Sequence, residues 1–139
     1  MTDVPRTFID TNLLVRFLTN DDPVKADRVE ELLRKAAGGT VRLVTADIVI
    51  AELVWVLESF YRLNRTDIRE KVDAILATPG LEVVNRKLVQ EAIGLYADAR
   101  IDFIDAYIVA LMGKLDIRGI YSFDKKHLSR LTAVERLEP

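Results

Sequence analysis

The chain reads as an α/β fold built around a mostly parallel sheet. Short apolar runs of strand length alternate with longer stretches of helical period, the order that makes successive strands parallel and lays helices on their faces. Acidic residues then stand inside or at the ends of those apolar runs: Asp10, Glu52, Asp102 with Asp105, and Asp124. A buried carboxylate is costly unless it is paired, protonated or bound to a cation. Four such places in one small chain predict a shared divalent-metal site.

The elements follow in order. Residues 7–9 read as the first strand, and Asp10-Thr11-Asn12 as a capping turn into a short helix over 13–18. Asp22 as N-cap with Pro23 at the first helical position opens a second helix. Its core stripe is Val29, Leu32, Leu33 and Ala36, and Gly38-Gly39 stops it. Residues 41–44 form the second strand. Thr45 is the expected cap of the next helix, over 47–60, where length without a breaker outweighs the β-branched content. Thr66 caps a helix with apolar positions Ile68, Val72, Ile75 and Leu76, ended by Thr78-Pro79-Gly80. Residues 81–84 are the third strand. Leu88, Ala92, Leu95 and Ala99 mark the next helix face. Asp102 caps a helix from Phe103 to about Lys114, whose apolar stretch 106–112 predicts a central position. Residues 119–122 are the fourth strand, Asp124 begins a short helix, and 134–137 form a short edge strand.

Composition narrows the chemistry. A length of 139 residues with half of them hydrophobic suits one globular domain, 1–139, and neither a repeat nor a linker interrupts it. The absence of cysteine removes disulfides, thiolate metal sites and thiol nucleophiles, and fits a cytoplasmic setting. His127 is the single histidine, which excludes a histidine-rich zinc site. Oxygen ligands remain, and they favour Mg²⁺, Mn²⁺ or Ca²⁺. The segment 1–6 lacks the pattern of a signal peptide, and Glu52 and Glu58 interrupt the longest apolar run, so no membrane span is expected. A net charge of −2 argues against nucleic-acid binding through bulk charge, though not against a local basic rim.

In an open parallel sheet, ligands bind beyond the carboxyl ends of the strands. Asp10 and Asp124 each follow a strand there. Asp102 and Asp105 share one face at a helix start, and Glu52 lies in the second turn of the helix after strand two. The helix-surface neighbours of Glu52 are Ile48, Val49, Trp55 and Val56, so it is expected to face inward. Paired ions about 3.5–4 Å apart activate a water and stabilise a leaving oxygen in phosphodiester cleavage.

Each residue also has a plainer role open to it. Asp10 and Asp124 can be helix caps. Asp102 and Asp105 can be a cap and its third helical position. Glu52 can pair a buried Arg16 or Arg100. Thr11, Asn12 and Ser122 can be turn residues, and Lys125, Lys126 and His127 a solvated helix start. These roles leave unexplained why the acids recur at corresponding ends of successive elements.

The run Phe8-Ile9-Asp10-Thr11-Asn12-Leu13-Leu14-Val15-Arg16-Phe17-Leu18 with Asp21-Asp22-Pro23 resembles the opening of PIN domains of the VapC toxin type. Ile50-Ala51-Glu52-Leu53 resembles that family's second acidic helix. Asp102-Phe103-Ile104-Asp105-Ala106-Tyr107-Ile108-Val109-Ala110 is similar to its third motif, and Ser122-Phe123-Asp124 to its fourth. His127-Leu128 departs from the family, where an aromatic is frequent. The resemblance implies a three-layer α/β/α sandwich with a central, mostly parallel sheet of four or five strands. It implies a Mg²⁺- or Mn²⁺-dependent endoribonuclease, the toxin of a toxin–antitoxin pair, cleaving RNA through a metal-activated water. It also implies a cognate antitoxin protein and a homodimer. Carried over, Asp10, Glu52, Asp105 and Asp124 are the catalytic, metal-binding acids, with Asp102 as an accessory ligand and Thr11, Asn12 and Ser122 beside them. Arg16, Arg100 and Lys125 are candidates to grip RNA phosphate. The alternatives are a PIN-like module that binds RNA or protein without catalysis, a phosphoryl-transfer receiver, and an aspartyl phosphatase. The receiver lacks an Asp after strand three, where Val84-Asn85 stands. The phosphatase lacks Asp-x-Asp after strand one, where Asp10-Thr11-Asn12 stands.

Overall fold

Three parallel strands, β1 (Arg6–Phe8), β2 (Arg42–Ala46) and β3 (Leu81–Val84), form one sheet in the order β1-β2-β3 in a computed structural model that describes residues 4–139. Met1-Thr2-Asp3, half of the segment read for a leader, lie outside the described residues. The register places Thr7 beside Leu43 and Thr45 beside Val83. Two compact units divide the chain, one through Arg86 and one from Lys87.

In the first unit, β1 leads through α1 (Thr11–Thr19) and α2 (Pro23–Ala37) to β2, which leads through α3 (Asp47–Ser59) and α4 (Arg65–Leu76) to β3. Parallel strands need such helical crossovers. Asp22 and Pro23 act as expected: the Asp22 carboxylate accepts from the Lys25 amide at 3.1 Å, and Pro23 is the first helical residue. The core is apolar apart from Thr11 and Thr45. Leu14, Ile50, Leu53, Leu57, Ile68 and Val72 are fully buried, each contributing about 1.5–3 kcal/mol by leaving water. All four apolar positions expected on α4 are buried; on α2, Leu32 is only half-buried while Val29, Leu33 and Ala36 are buried. Lys71 of α4 donates to the Leu18 carbonyl, covering one exposed end of α1.

Gly80 makes the turn into β3 with φ +78°, and a Cβ there would lie 2.3 Å from the Ala36 carbonyl oxygen. Only glycine lets the strand start this close to the end of α2.

Two expected caps are corrected. Thr45 does not cap α3. It is a strand residue, fully buried, and its hydroxyl donates to the Ile9 carbonyl at 3.2 Å; Ala46 holds the cap position without a side-chain bond. Thr66 lies inside α4, and Asn64 is its cap, accepting from the Asp67 amide at 2.8 Å.

In the second unit, α5 (Arg86–Asp98) and α6 (Phe103–Lys114) meet through Tyr96 and Phe103, whose rings stand edge to face at 6.4 Å. The buried face of α5 is Leu88, Val89, Ala92, Ile93 and Tyr96, so the stripe is rotated from the expected one: Leu95 is half-buried and Ala99 follows the helix end. α6 buries Phe103, Ala106, Ala110 and Met112 but exposes Ile104 and Ile108, so its apolar stretch is not buried all round. β4 (Gly119–Tyr121) pairs in parallel with β5 (Glu135–Leu137). The segment after Asp124 is a bend followed by a 3₁₀ turn, Leu128–Arg130, not a helix starting at Asp124. The five expected strands are all present and pair in parallel, and their hydrogen bonds divide them three and two.

Candidate metal centre

The first unit carries Asp10, Thr11 and Glu52. Asp10 sits just past β1 and caps α1, its Oδ1 accepting from the Leu13 amide at 3.3 Å. The capping role and an outward carboxylate coexist, because Asp10 is exposed. Thr11 is buried, and its hydroxyl donates to Glu52 Oε1. That bond ties the first residue of α1 to the second turn of α3. Glu52 is not inward-facing as expected. It is exposed, as are Ile48 and Trp55 on the same face of α3. Apolar neighbours on a helix do not by themselves bury a residue. Nor does Arg16 reach Glu52; it pairs with Asp21 at 3.0 Å. Asp21 also accepts from Tyr61 at 2.5 Å, and that bond leads the effects holding its carboxyl below the usual range.

Asn12 is exposed and lines, with Arg16, Lys25, Arg28, Leu32 and Lys35, a groove of about 570 Å³ along α1 and α2. Four cations face this groove against Glu31. Sequence reading singled out only Arg16 among them, because Lys25, Arg28 and Lys35 lie one or two helical turns apart and align only once α2 is formed.

The second unit carries Asp102, Asp105, Asp124 and His127. A carboxylate oxygen of Asp105, one of Asp124 and a ring nitrogen of His127 lie within 4.8 Å of one another. Asp105 comes from the first turn of α6; Asp124 and His127 come from the bend after β4. Ser122 shapes that bend, its hydroxyl accepting from the Asp124 amide at 3.0 Å. Asp124 Oδ1 accepts from the amides of Lys126 and His127 at 3.0 and 3.1 Å, while Oδ2 faces His127 Nδ1 at 3.3 Å. Asp102 stands at the N-cap position of α6 but makes no side-chain cap bond. Arg100 is an exposed residue at φ 57°, and Lys125 reaches toward Glu138 at 3.9 Å.

The electrostatics of this cluster are opposed. Burial pushes the Asp105 carboxyl up, and the charges of Asp102 and Asp124 add to the shift. The His127 amide bond leads the effects that hold Asp124 down, so its charged form is favoured. None of the candidate acids is buried: Asp10, Glu52 and Asp102 are exposed, Asp105 and Asp124 half-buried. The expectation of buried acids is therefore corrected: Asp10, Asp102, Asp105 and Asp124 stand at element ends open to water, and Glu52 lies on an exposed face of α3.

The donor set fits a divalent cation. Two carboxylates and an imidazole suit Mg²⁺ less fully than Mn²⁺, and adjacent ligands on one ion stand about 3 Å apart for bonds near 2.1 Å. The three atoms lie within 4.8 Å of one another, and the Asp124–His127 pair is already at 3.3 Å. His127 is a further potential donor; its signal in the sequence is the Asp-x-x-His spacing from Asp124, which a bend places on one side.

The PIN domain profile matches residues 7–134. The chain is 30% identical over 118 residues to a VapC ribonuclease of Aquifex aeolicus, covering 85% of this chain and 87% of that protein. It is similar at 22% identity to the crystal structure of Mycobacterium tuberculosis VapC20, a sarcin–ricin-loop-cleaving toxin, with a TM-score of 0.39 over 90% of this chain and 94% of that one. With the profile running through both groups of acids, the chain belongs to the PIN domain family.

Proposed function

We propose that this protein is a Mg²⁺- or Mn²⁺-dependent endoribonuclease and the toxin of a toxin–antitoxin pair. One observation carries the reading: in a chain similar to a VapC ribonuclease over most of its length, Asp105, Asp124 and His127 converge within 4.8 Å. Asp10, Glu52, Asp105 and Asp124 are the acids assigned to the metal centre, and 1–139 is taken as one PIN domain because the matched residues span both units.

A divalent cation held by Asp105 and Asp124 would activate water and stabilise the leaving oxygen. The residues do the rest. Thr11 holds Glu52 in one orientation through its hydroxyl. The two backbone amides on Asp124 Oδ1 keep that carboxylate charged and fixed. Lys25, Arg28 and Lys35 along the α1–α2 groove supply phosphate-binding charge that the net −2 of the chain conceals. Exposed Ile48 and Trp55 on α3 offer apolar surface for a protein partner, whether a second copy or an antitoxin. Among the described residues no helix is long and apolar enough to cross a membrane.

The test is cleavage of a panel of structured RNAs. Cleavage is expected with Mg²⁺ or Mn²⁺ and is expected to vanish with chelator. Undiminished cleavage in chelator overturns the reading, as does binding of RNA without cleavage under every metal tried.

A further inference from the structure

We propose that His127 is a direct ligand of the metal centre, and that it tilts the centre from Mg²⁺ toward Mn²⁺ and later first-row ions. The inference rests on the metal-dependent reading above and adds a donor to it.

The geometry selects the imidazole. Asp124 spends Oδ1 on two backbone amides, which leaves Oδ2 as the oxygen able to reach an ion. Oδ2 is the atom that faces His127 Nδ1, at 3.3 Å. Two atoms placed this way are served by a shared proton or by one shared cation. The position of Asp105 distinguishes these cases. A simple Asp124–His127 pair has no use for a second carboxylate, yet Asp105 brings an oxygen within 4.8 Å of both. With Asp102 adding its charge, acids outnumber the single imidazole. The backbone that carries the ring is anchored, and the ring itself meets Asp124 Oδ2. The side chain is 30% exposed, the His127 amide donates to Asp124, and its carbonyl accepts from Arg130 at 3.2 Å.

Donor chemistry then sets the preference. Mg²⁺ keeps to oxygen ligands and retains its waters, whereas imidazole suits transition ions, with affinity rising from Mn²⁺ through Co²⁺ to Ni²⁺. One neutral nitrogen among carboxylates leaves Mg²⁺ able to bind through Asp105 and Asp124 while giving Mn²⁺ an extra bond.

His127 is the only histidine in the chain. A nitrogen coupling from bound imidazole can therefore come from no other residue, provided the protein carries no histidine tag. Full-length protein stripped with chelator and reloaded with Mn²⁺ is examined by pulsed electron paramagnetic resonance. The expected result is a ¹⁴N modulation typical of directly bound imidazole, replaced by the ¹⁵N pattern when only histidine is ¹⁵N-labelled. In His127→Gln the modulation should disappear. Mn²⁺ affinity should fall at least about tenfold, the lower bound for losing even an indirect support of a metal ligand. Mg²⁺ affinity, read by competition, should fall much less. A positioning role through Asp124 would lower both affinities together, and that result overturns the proposal. Bound Mn²⁺ without nitrogen modulation overturns it while leaving metal-dependent cleavage standing. No Mn²⁺ binding at all, with cleavage surviving chelator, overturns both. The labelled wild-type protein keeps the test decisive if His127→Gln fails to fold.

Discussion

Asp105→Asn separates a carboxylate held for a cation from one held for the helix. An oxygen of Asp105 and one of Asp124 lie within 4.8 Å, so their charges repel, and the water that reaches both screens the repulsion without removing it. Against it stands the first-turn position of Asp105 in α6, where a negative charge gains about 0.3–1 kcal/mol from the helix dipole. Burial adds its own penalty to the charged form. Repulsion and burial therefore outweigh the dipole, or at least cancel it. In chelator at pH 8, Asp105→Asn is expected to melt at or above the wild-type temperature, each kcal/mol being worth about 3 °C for a domain of this size. The pH dependence has a definite sign. An acid whose pKa rises on folding costs stability above its folded value, and the cost fades as pH falls toward and below the ordinary 3.8. The advantage of the variant should thus shrink on lowering pH. Saturating Mn²⁺ should reverse the order, since about 100-fold excess over the dissociation constant adds about 2.7 kcal/mol to wild type alone. Thermal melts across pH, with and without Mn²⁺, measure all of this. A variant that melts several degrees below wild type in chelator would make Asp105 a structural acceptor and refute the reasoning.

Glu52→Gln should leave stability within about 0.5 kcal/mol, because the carboxylate is exposed and the amide oxygen still accepts from Thr11. RNA cleavage should fall roughly 10- to 100-fold; a stability loss near 3–5 kcal/mol in denaturant titration would instead reveal a charged partner. Gly80→Ala should cost at least about 2 kcal/mol in urea unfolding with an unchanged slope, since its Cβ meets the Ala36 carbonyl at 2.3 Å and φ is +78°. Wild-type stability in that variant would mean that β3 can move away from α2.

Legibility from sequence followed how local the controlling interaction was. The Asp22-Pro23 start of α2 and the bounds of β3 were readable because a cap, a fixed φ and the Thr78-Pro79-Gly80 turn are decided within a few residues. Thr45 was misread because a threonine before a helix and a threonine inside a parallel strand look the same until the partner strand is known. Here the partner is β1, and the Ile9 carbonyl takes the hydroxyl. Asn64 and Thr66 are both competent caps, and the choice between them depends on where Leu63 is anchored; its amide donates to the Leu57 carbonyl at the end of α3. The rotated face of α5 has the same origin. Periodicity finds a stripe, but Tyr96 against Phe103 decides which stripe is inside.

Asp105 and Asp124 were legible as candidates, but for a reason that the structure replaces. Desolvation does not single them out, because Asp10 and Glu52 are exposed and Asp105 and Asp124 only half-buried. Mutual approach does. Asp105 and Asp124 come from segments 19 positions apart, one on a helix start and one on a bend after a strand. Free side chains of like charge would separate, yet backbone amides pin Asp124, and Asp105 extends toward it from the first turn of α6. Stability alone gives no reason to fix two repelling groups. A cation that relieves the repulsion and gains ligands from both does give one, and it also accounts for the imidazole beside them. On this ground the assignment rests on proximity and chemistry, and the exposure of the carboxylates becomes an asset, since a phosphodiester as large as RNA must reach the ion they would hold.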